Sequence, residues 1–301
     1  MKFLKRGGLA LVLLALALPS QAAVRVLATT ADWGALTTEL GGERVDVYTA
    51  TSAMQDVHRV EAKPSLVARA RTADLLVANG AELEVGWLPI LLQESGNRKI
   101  QRNAPGYFEA TSAVTLVEKP EKFDRAMGDI HPLGNPHIQL DPRNVAAVAK
   151  ALAARLAAID PAGADYYATR AADFDKRWSE ATARWQAKAA PLKGVPVVIM
   201  HRDQVYLCRW LGLKELAAIE PKPGVPPSAG YLGQLVTKLS ASPPKFILLN
   251  AYNDPKAAKW LSERIHAPAV VLPFSVGGSP AAKDLFGLFD DTIEKLTGAA
   301  R

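Results

Sequence analysis

Five histidines, His58, His131, His137, His201 and His266, are the residues of this 301-residue chain best suited to chemistry. His201 directly follows the apolar, β-branched run Val195–Met200, and His58 lies in the loop after Val45–Ala50. His131 and His137 flank a tight loop, His131-Pro-Leu-Gly-Asn-Pro-His137. Open α/β sheets bind ligands outside the carboxyl ends of their strands, so these four are placed for a common site. Neutral imidazole is a favoured zinc donor, and three or four converging imidazoles suit a borderline-soft d¹⁰ ion. Any one of them alone reads equally as a hydrogen-bonded loop histidine; their shared placement is what points to a metal. His266 follows Arg264 at the end of a surface-type helix, where a positive charge favours the helix terminus without any ligand role.

Other chemistry finds little footing. There is no phosphate-binding Gly-x-x-x-x-Gly-Lys loop, no Gly-x-Ser-x-Gly elbow, no His-Glu-x-x-His and no Gly-x-Gly-x-x-Gly opening a helix. Glu82, Glu84 and Asp129 fall in loops, and none pairs with a second carboxylate at a spacing that serves acid–base catalysis. Cys208, seven residues after His201, is expected on the same helix; it reads as a buried inert thiol, with thiolate ligation the alternative. A single cysteine excludes a disulfide framework and a cysteine-cluster zinc site.

The elements that must position these residues alternate. Strands are expected at Val24–Ala28, Val45–Ala50 and Asp74–Asn79, and helices at Trp33–Leu40, Pro64–Thr72 and Val85–Glu94. Gly41-Gly42 stops the first helix, and Pro64 opens the second. From Asn144 to Leu192 the chain is rich in Ala, Arg, Asp and Glu at helical spacing, with Asp160-Pro161 dividing it into helices over 143–158 and 163–189. The second would be about 40 Å long. Alternation then resumes. Strands are expected at Val195–Met200, Leu213–Ile219, Phe246–Asn250 and Ala269–Leu272. Helices are expected at Asp203–Leu211, Ser228–Leu239, Pro255–His266 and Ala281–Leu296. The expected fold is α/β, with two parallel-sheet lobes joined by one long helix. The divisions are 24–160 for the first lobe, 161–190 for the linking helix and 191–301 for the second lobe.

Residues 1–23 read as an export signal. Lys2, Lys5 and Arg6 precede the apolar run Leu9–Leu18, and small residues at 20–23 mark the cleavage site. That run is shorter than the roughly 20 residues a membrane span needs. No cysteine stands nearby to carry a lipid. The mature chain is therefore expected in the periplasm as a free monomer with no membrane anchor. Without those three cations the 36 basic residues fall to 33, against 30 acidic ones, which gives nucleic-acid binding little electrostatic support.

Several segments together resemble the zinc and manganese receptors that serve ABC importers, the cluster A-I type. They are Asp56-Val57-His58 followed by Lys63-Pro64-Ser65; Ala73-Asp74-Leu75-Leu76-Val77-Ala78-Asn79-Gly80, with Glu84 and Trp87-Leu88; Asn135-Pro136-His137-Ile138-Gln139-Leu140-Asp141-Pro142; and His201 with Tyr206-Leu207. The resemblance spans residues 24–298. It implies two similar parallel-sheet α/β lobes joined by one long rigid helix, with metal held in the cleft between them by His58, His137 and His201 for a membrane permease and no chemical step. The imidazole-rich ligand set argues for Zn²⁺ as the cargo. The alternatives are a periplasmic metallochaperone and a receptor for Mn²⁺ or Fe²⁺. A three-histidine metallohydrolase is the rival from another class, and it lacks an evident general base.

The chain also departs from that family. Many members place an aspartate ligand after the last strand of the second lobe, where this sequence has Phe274. The long histidine-rich loop of the family is replaced by the compact Met127-Gly128-Asp129-Ile130-His131. Tetrahedral zinc wants a fourth donor. His131 is the expected one, folded back by Gly134 and two prolines, with Asp129, Asp284 or water as alternatives.

Overall fold

The computed structural model describes residues 22–122 and 124–301, so all but the last two residues of the expected export signal lie outside the described part. Among the described residues no helix is long and apolar enough to cross a membrane.

Two four-stranded parallel sheets organise the chain. The first comprises β1 (Val24–Ala28), β2 (Val45–Thr49), β3 (Leu75–Ala78) and β4 (Tyr107–Glu109), in the order β2-β1-β3-β4. The second comprises β5 (Pro196–Ile199), β6 (Lys214–Ala218), β7 (Phe246–Asn250) and β8 (Ala269–Leu272), in the equivalent order β6-β5-β7-β8. All pairings within these two sheets are parallel. The central strands are covered on both faces, which is why Leu75-Leu76-Val77-Ala78 and Phe246-Ile-Leu-Leu-Asn250 are continuous buried runs without alternation. In each sheet the chain leaves the first strand toward one edge and returns on its other side. The crevices at the carboxyl ends of β1/β3 and β5/β7 are therefore topological switch points, where side chains can converge.

Helices α1 (Ala31–Gly41), α2 (Pro64–Thr72) and α3 (Leu88–Ser95) flank the first sheet. Next come α4 (Pro142–Ile159) and α5 (Ala164–Ala189), and the second sheet carries α6 (Val205–Leu211), α7 (Ala229–Ser240), α8 (Lys256–Ile265) and α9 (Leu285–Ala299). Helix α5 has 26 residues, about 39 Å at 1.5 Å per residue. Its buried Tyr167, Phe174, Trp178 and Trp185 recur at spacings of seven and four, on one face. Trp178 stacks on Phe174 at 5.2 Å and Trp185 on Phe289 of α9 at 4.9 Å, so one helix face joins both lobes in a shared aromatic core. Polar ties fix its angle: Arg170 Nε donates to the Glu39 carbonyl at 2.8 Å, Trp178 Nε1 to the Pro142 carbonyl at 2.8 Å and Trp185 Nε1 to Asp290 at 2.6 Å.

Most elements fall where the sequence places them, and the departures have local causes. Strand β4 was not expected, because three residues between Pro105-Gly106 and a 3₁₀ turn show no period. The helix expected from Val85 begins at Leu88, since Ala81 (φ 51°) and Glu82 (φ 65°) turn the chain first. The helix expected from Ala281 begins at Leu285, where the Asp284 carboxylate accepts the Gly287 N–H at 2.8 Å and so caps it. The helix expected from Asp203 opens with a 3₁₀ turn at Arg202–Gln204.

Candidate metal centre

His58, His131 and His137 converge, each offering a ring nitrogen within 4.8 Å of the other two. His58 Nε2 and His131 Nε2 are 3.3 Å apart. Two nitrogens on a tetrahedral zinc with bonds of 2.0–2.1 Å would stand about 3.3 Å apart, so that edge already has the size of a coordination polyhedron. His201 reaches the cluster from the second sheet, its ring centroid 6.0 Å from that of His58 and 5.7 Å from that of His137. His266 is not among them; it caps α8 in a left-handed conformation (φ 54°).

Each imidazole has a separate support, that of His131 being hydrogen bonding to the backbone of Ala81 and Glu82 in the first lobe. Asp56 Oδ1 accepts both the backbone N–H of His58 at 3.0 Å and its Nδ1 at 2.8 Å, which leaves Nε2 facing the cluster. Trp87 Nε1 holds the next carbonyl back, Val57, at 3.0 Å. His137 is placed by Asn135, whose Oδ1 accepts the His137 N–H at 3.1 Å. The Asn135 amide in turn donates to the Arg202 carbonyl at 2.8 Å, and its carbonyl accepts from Tyr206 at 2.8 Å. Asn135 thereby joins the two lobes directly under the site. His201 follows β5 in extended backbone, and its Nδ1 lies 2.6 Å from Glu220 Oε2. A carboxylate on the far nitrogen fixes the tautomer and raises the basicity of the near one.

The electrostatics set His201 apart from His131 and His137. Burial, with the nearby charges of His58 and His201, drives His131 down to about 3 and His137 well below the ordinary imidazole value, so both stay neutral donors. Burial opposes charge on His201 too, but Asp203 and Glu220 outweigh it and hold its pKa at about 9. Burial pushes Asp203 up to about 6, and its Oδ2 accepts from Asn250 at 2.5 Å and from Tyr252 at 2.6 Å.

The remaining candidates lie elsewhere or serve structure. Glu84 is buried and accepts from Thr29 Oγ1 at 2.6 Å and the Asn79 N–H at 2.7 Å, holding the first switch point together. Asp284 caps α9 from an exposed position. Asp129 lies near the site, its Oδ2 3.9 Å from Arg59. Cys208 does not share a helix with His201, because the 3₁₀ turn intervenes; its thiol sits in the hydrophobic core with its pKa pushed up by burial. Phe274 is buried and its ring packs 6.0 Å from that of His137 and 5.3 Å from Tyr252, a hydrocarbon wall on the side where many relatives are expected to offer a carboxylate.

Sequence reasoning missed the supporting carboxylate of His201, since Glu220 lies beyond a strand from it and no local spacing links them. It also missed the latch across the cleft. Asp32, fully buried after β1, accepts from Ser275 Oγ at 2.7 Å and the Val276 N–H at 3.0 Å, and burial raises its pKa to about 6.

Comparison with known proteins agrees with this architecture. A sequence model of the family described as "Zinc-uptake complex component A periplasmic" (ZnuA) matches residues 26–299. A manganese ABC transporter substrate-binding lipoprotein, PsaA, of Streptococcus anginosus is 27% identical over 157 residues, 51% of this chain and 48% of that protein, so the match spans about half of the relative's length. The high-affinity zinc uptake system protein ZnuA of Bacillus subtilis (strain 168) is 22% identical over 252 residues, 82% of this chain and 77% of that protein. A crystal structure of ZnuA superposes with a TM-score of 0.77 at 22% identity, covering 93% of this chain and all of that one, and so shares the fold. With nearly its whole length matched, the chain belongs to the ZnuA family, a family of substrate-binding receptors and not of enzymes.

Proposed function

We propose that this protein is a periplasmic receptor that captures Zn²⁺ between its lobes and delivers it to the membrane permease of an ABC importer. His58, His131, His137 and His201 are the ligands in this reading. It acts as an exported monomer of two lobes, 24–160 and 191–301, joined by 161–190. The observation that carries the reading is the donor set: among the described residues the clustered ring nitrogens belong to His58, His131 and His137, and the nearby carboxylates Asp56 and Glu220 bind imidazole nitrogens. Imidazole-rich sites suit zinc, whereas manganese sites lean on carboxylates and water. Family membership supports the transport role.

Receptor function needs an ion to be gripped and then released. Binding across the cleft favours the closed lobes through contacts that exist only there. Permease binding that draws the second lobe away would remove His201 from the ion.

The relative named for manganese supports a second cargo, Mn²⁺, with the same mechanism. Competition titration separates the two. Zinc should displace manganese at equimolar concentration, and zinc at about 100 times its Kd should stabilise the fold by about 2.7 kcal/mol. A melting temperature unmoved by zinc but raised by manganese would reverse the assignment. Zinc uptake that persists in cells lacking the receptor would remove the transport role.

A further inference from the structure

We infer that residues 126–131 form a strap from the first lobe that the second lobe holds closed, so that the backbone leading to His131 is kept over the site by that crossing while the ring itself bonds to the Ala81 and Glu82 backbone. The inference rests on the proposed metal reading. Two hydrogen bonds define the crossing: the Asp129 N–H donates to the Pro223 carbonyl at 2.8 Å, and Lys222 Nζ donates to the Ala126 carbonyl at 2.9 Å. His131 therefore belongs to the first lobe by sequence, yet its segment hangs on a turn of the second.

The fit depends on two glycines, one from each side. Gly128 (φ 89°) passes so close to Pro223 that a Cβ there would stand 2.2 Å from the Pro223 carbonyl oxygen. Gly224 (φ 74°) faces Asp129, and a Cβ there would stand 1.9 Å from its Oδ2. Both positions need left-handed backbone and an absent side chain. The receiving turn is itself fixed by the site, because Glu220 Oε2 accepts the Gly224 N–H at 2.7 Å as well as supporting His201. Contacts thus run from His201 through Glu220 and Gly224 to Asp129, two residues from His131 along the chain. Two cavities of about 220 Å³ each are lined in part by Asp129 and His201, one also by His131 and Pro223 and the other by His58 and Gly224.

The consequence is a coupled release. Moving the second lobe takes away His201 as a ligand and, in the same motion, the crossing that holds the segment leading to His131. Two of four donors then depend on one interface, which makes retention steep in lobe separation.

The test is Gly128→Ala, which sets a methyl against backbone in a loop outside both sheets. Zinc dissociation into excess chelator should quicken about tenfold or more, the scale on which lost outer support acts. X-ray absorption should count one imidazole fewer. His131→Ala should do the same, and the double variant should be no worse than His131→Ala alone. Effects that multiply in the double variant, or a wild-type imidazole count in Gly128→Ala, overturn the strap. Should that variant fail to fold, Lys222→Ala removes one anchor bond at an exposed side chain and must also speed release. The Asp129 amide gives a reading without metal: slow hydrogen exchange in the wild type, fast in Gly128→Ala. Fast exchange in the wild type rejects the strap whatever zinc does, whereas slow exchange without zinc binding rejects the metal reading alone.

Discussion

The Nδ1 of His201 lies 2.6 Å from Glu220 Oε2, a carboxylate that favours the protonated ring, whereas burial favours the neutral form of His131 and His137. With Asp203 beside it, His201 has its pKa raised to about 9, so it is protonated at pH 7 before metal arrives. Coordination requires the near nitrogen to be free of its proton. Zinc binding at pH 7 should therefore release about one proton from His201, and apparent affinity should rise about tenfold per pH unit until pH 9. Calorimetry in buffers of different ionisation enthalpy measures this directly. Glu220→Gln should reduce the release below one proton and weaken binding as well.

Stability without metal should move the other way. An imidazole raised above its unfolded value of about 6.5 contributes stability that is full below that pH and fades as pH rises through the folded value. Because that value is about 9 here, the metal-free melting temperature should fall between pH 6.5 and 9.5. The zinc-induced gain in melting temperature should grow over the same window. Scanning calorimetry of both forms checks the opposed slopes.

Substitution should rank the ligands. His137 is buried and approached by three other imidazoles, so His137→Ala removes a central donor and should weaken zinc more than His131→Ala. Asp56→Asn leaves the four rings in place but loosens His58, which should cost about 10–100-fold in affinity. Chelator competition gives all three values. Equal losses for His131→Ala and His137→Ala would contradict the ranking.

Phe274 offers a test of selectivity. Its ring contacts His137 and Tyr252 at the position where the family pattern expects a carboxylate. Phe274→Asp should raise manganese affinity relative to zinc, because an added hard oxygen donor suits manganese. The same change should destabilise the metal-free protein by about 3–5 kcal/mol, as truncation of a buried aromatic does. Competition titration and denaturant unfolding report the two effects separately.

How much of this the sequence discloses depends on the range of the interaction. Runs such as Phe246–Asn250 and the aromatic face of α5 declare themselves through local period, so the two sheets and the long helix are legible. His58 and His201 are legible because each lies in a loop beyond an expected strand, and His131 and His137 because they flank a glycine-proline loop; parallel topology brings such loops together. Strand β4 escapes because three residues carry no period. Glu220 on His201, Asp32 on Ser275 and Lys222 on Ala126 join residues far apart in sequence, and nothing in local spacing marks them. The latch and strap depend on how one lobe sits against the other, which is a property of packing and not of any single segment.

The central claim is that the converged imidazoles hold zinc in the cell. The most direct measurement is the metal content of the protein purified from the periplasm without added metal, by mass spectrometry that keeps bound ions. One zinc per chain, lost when His137 and His201 are both changed to alanine, is the expected result. Stoichiometric manganese in its place, or no bound metal at all, would contradict it.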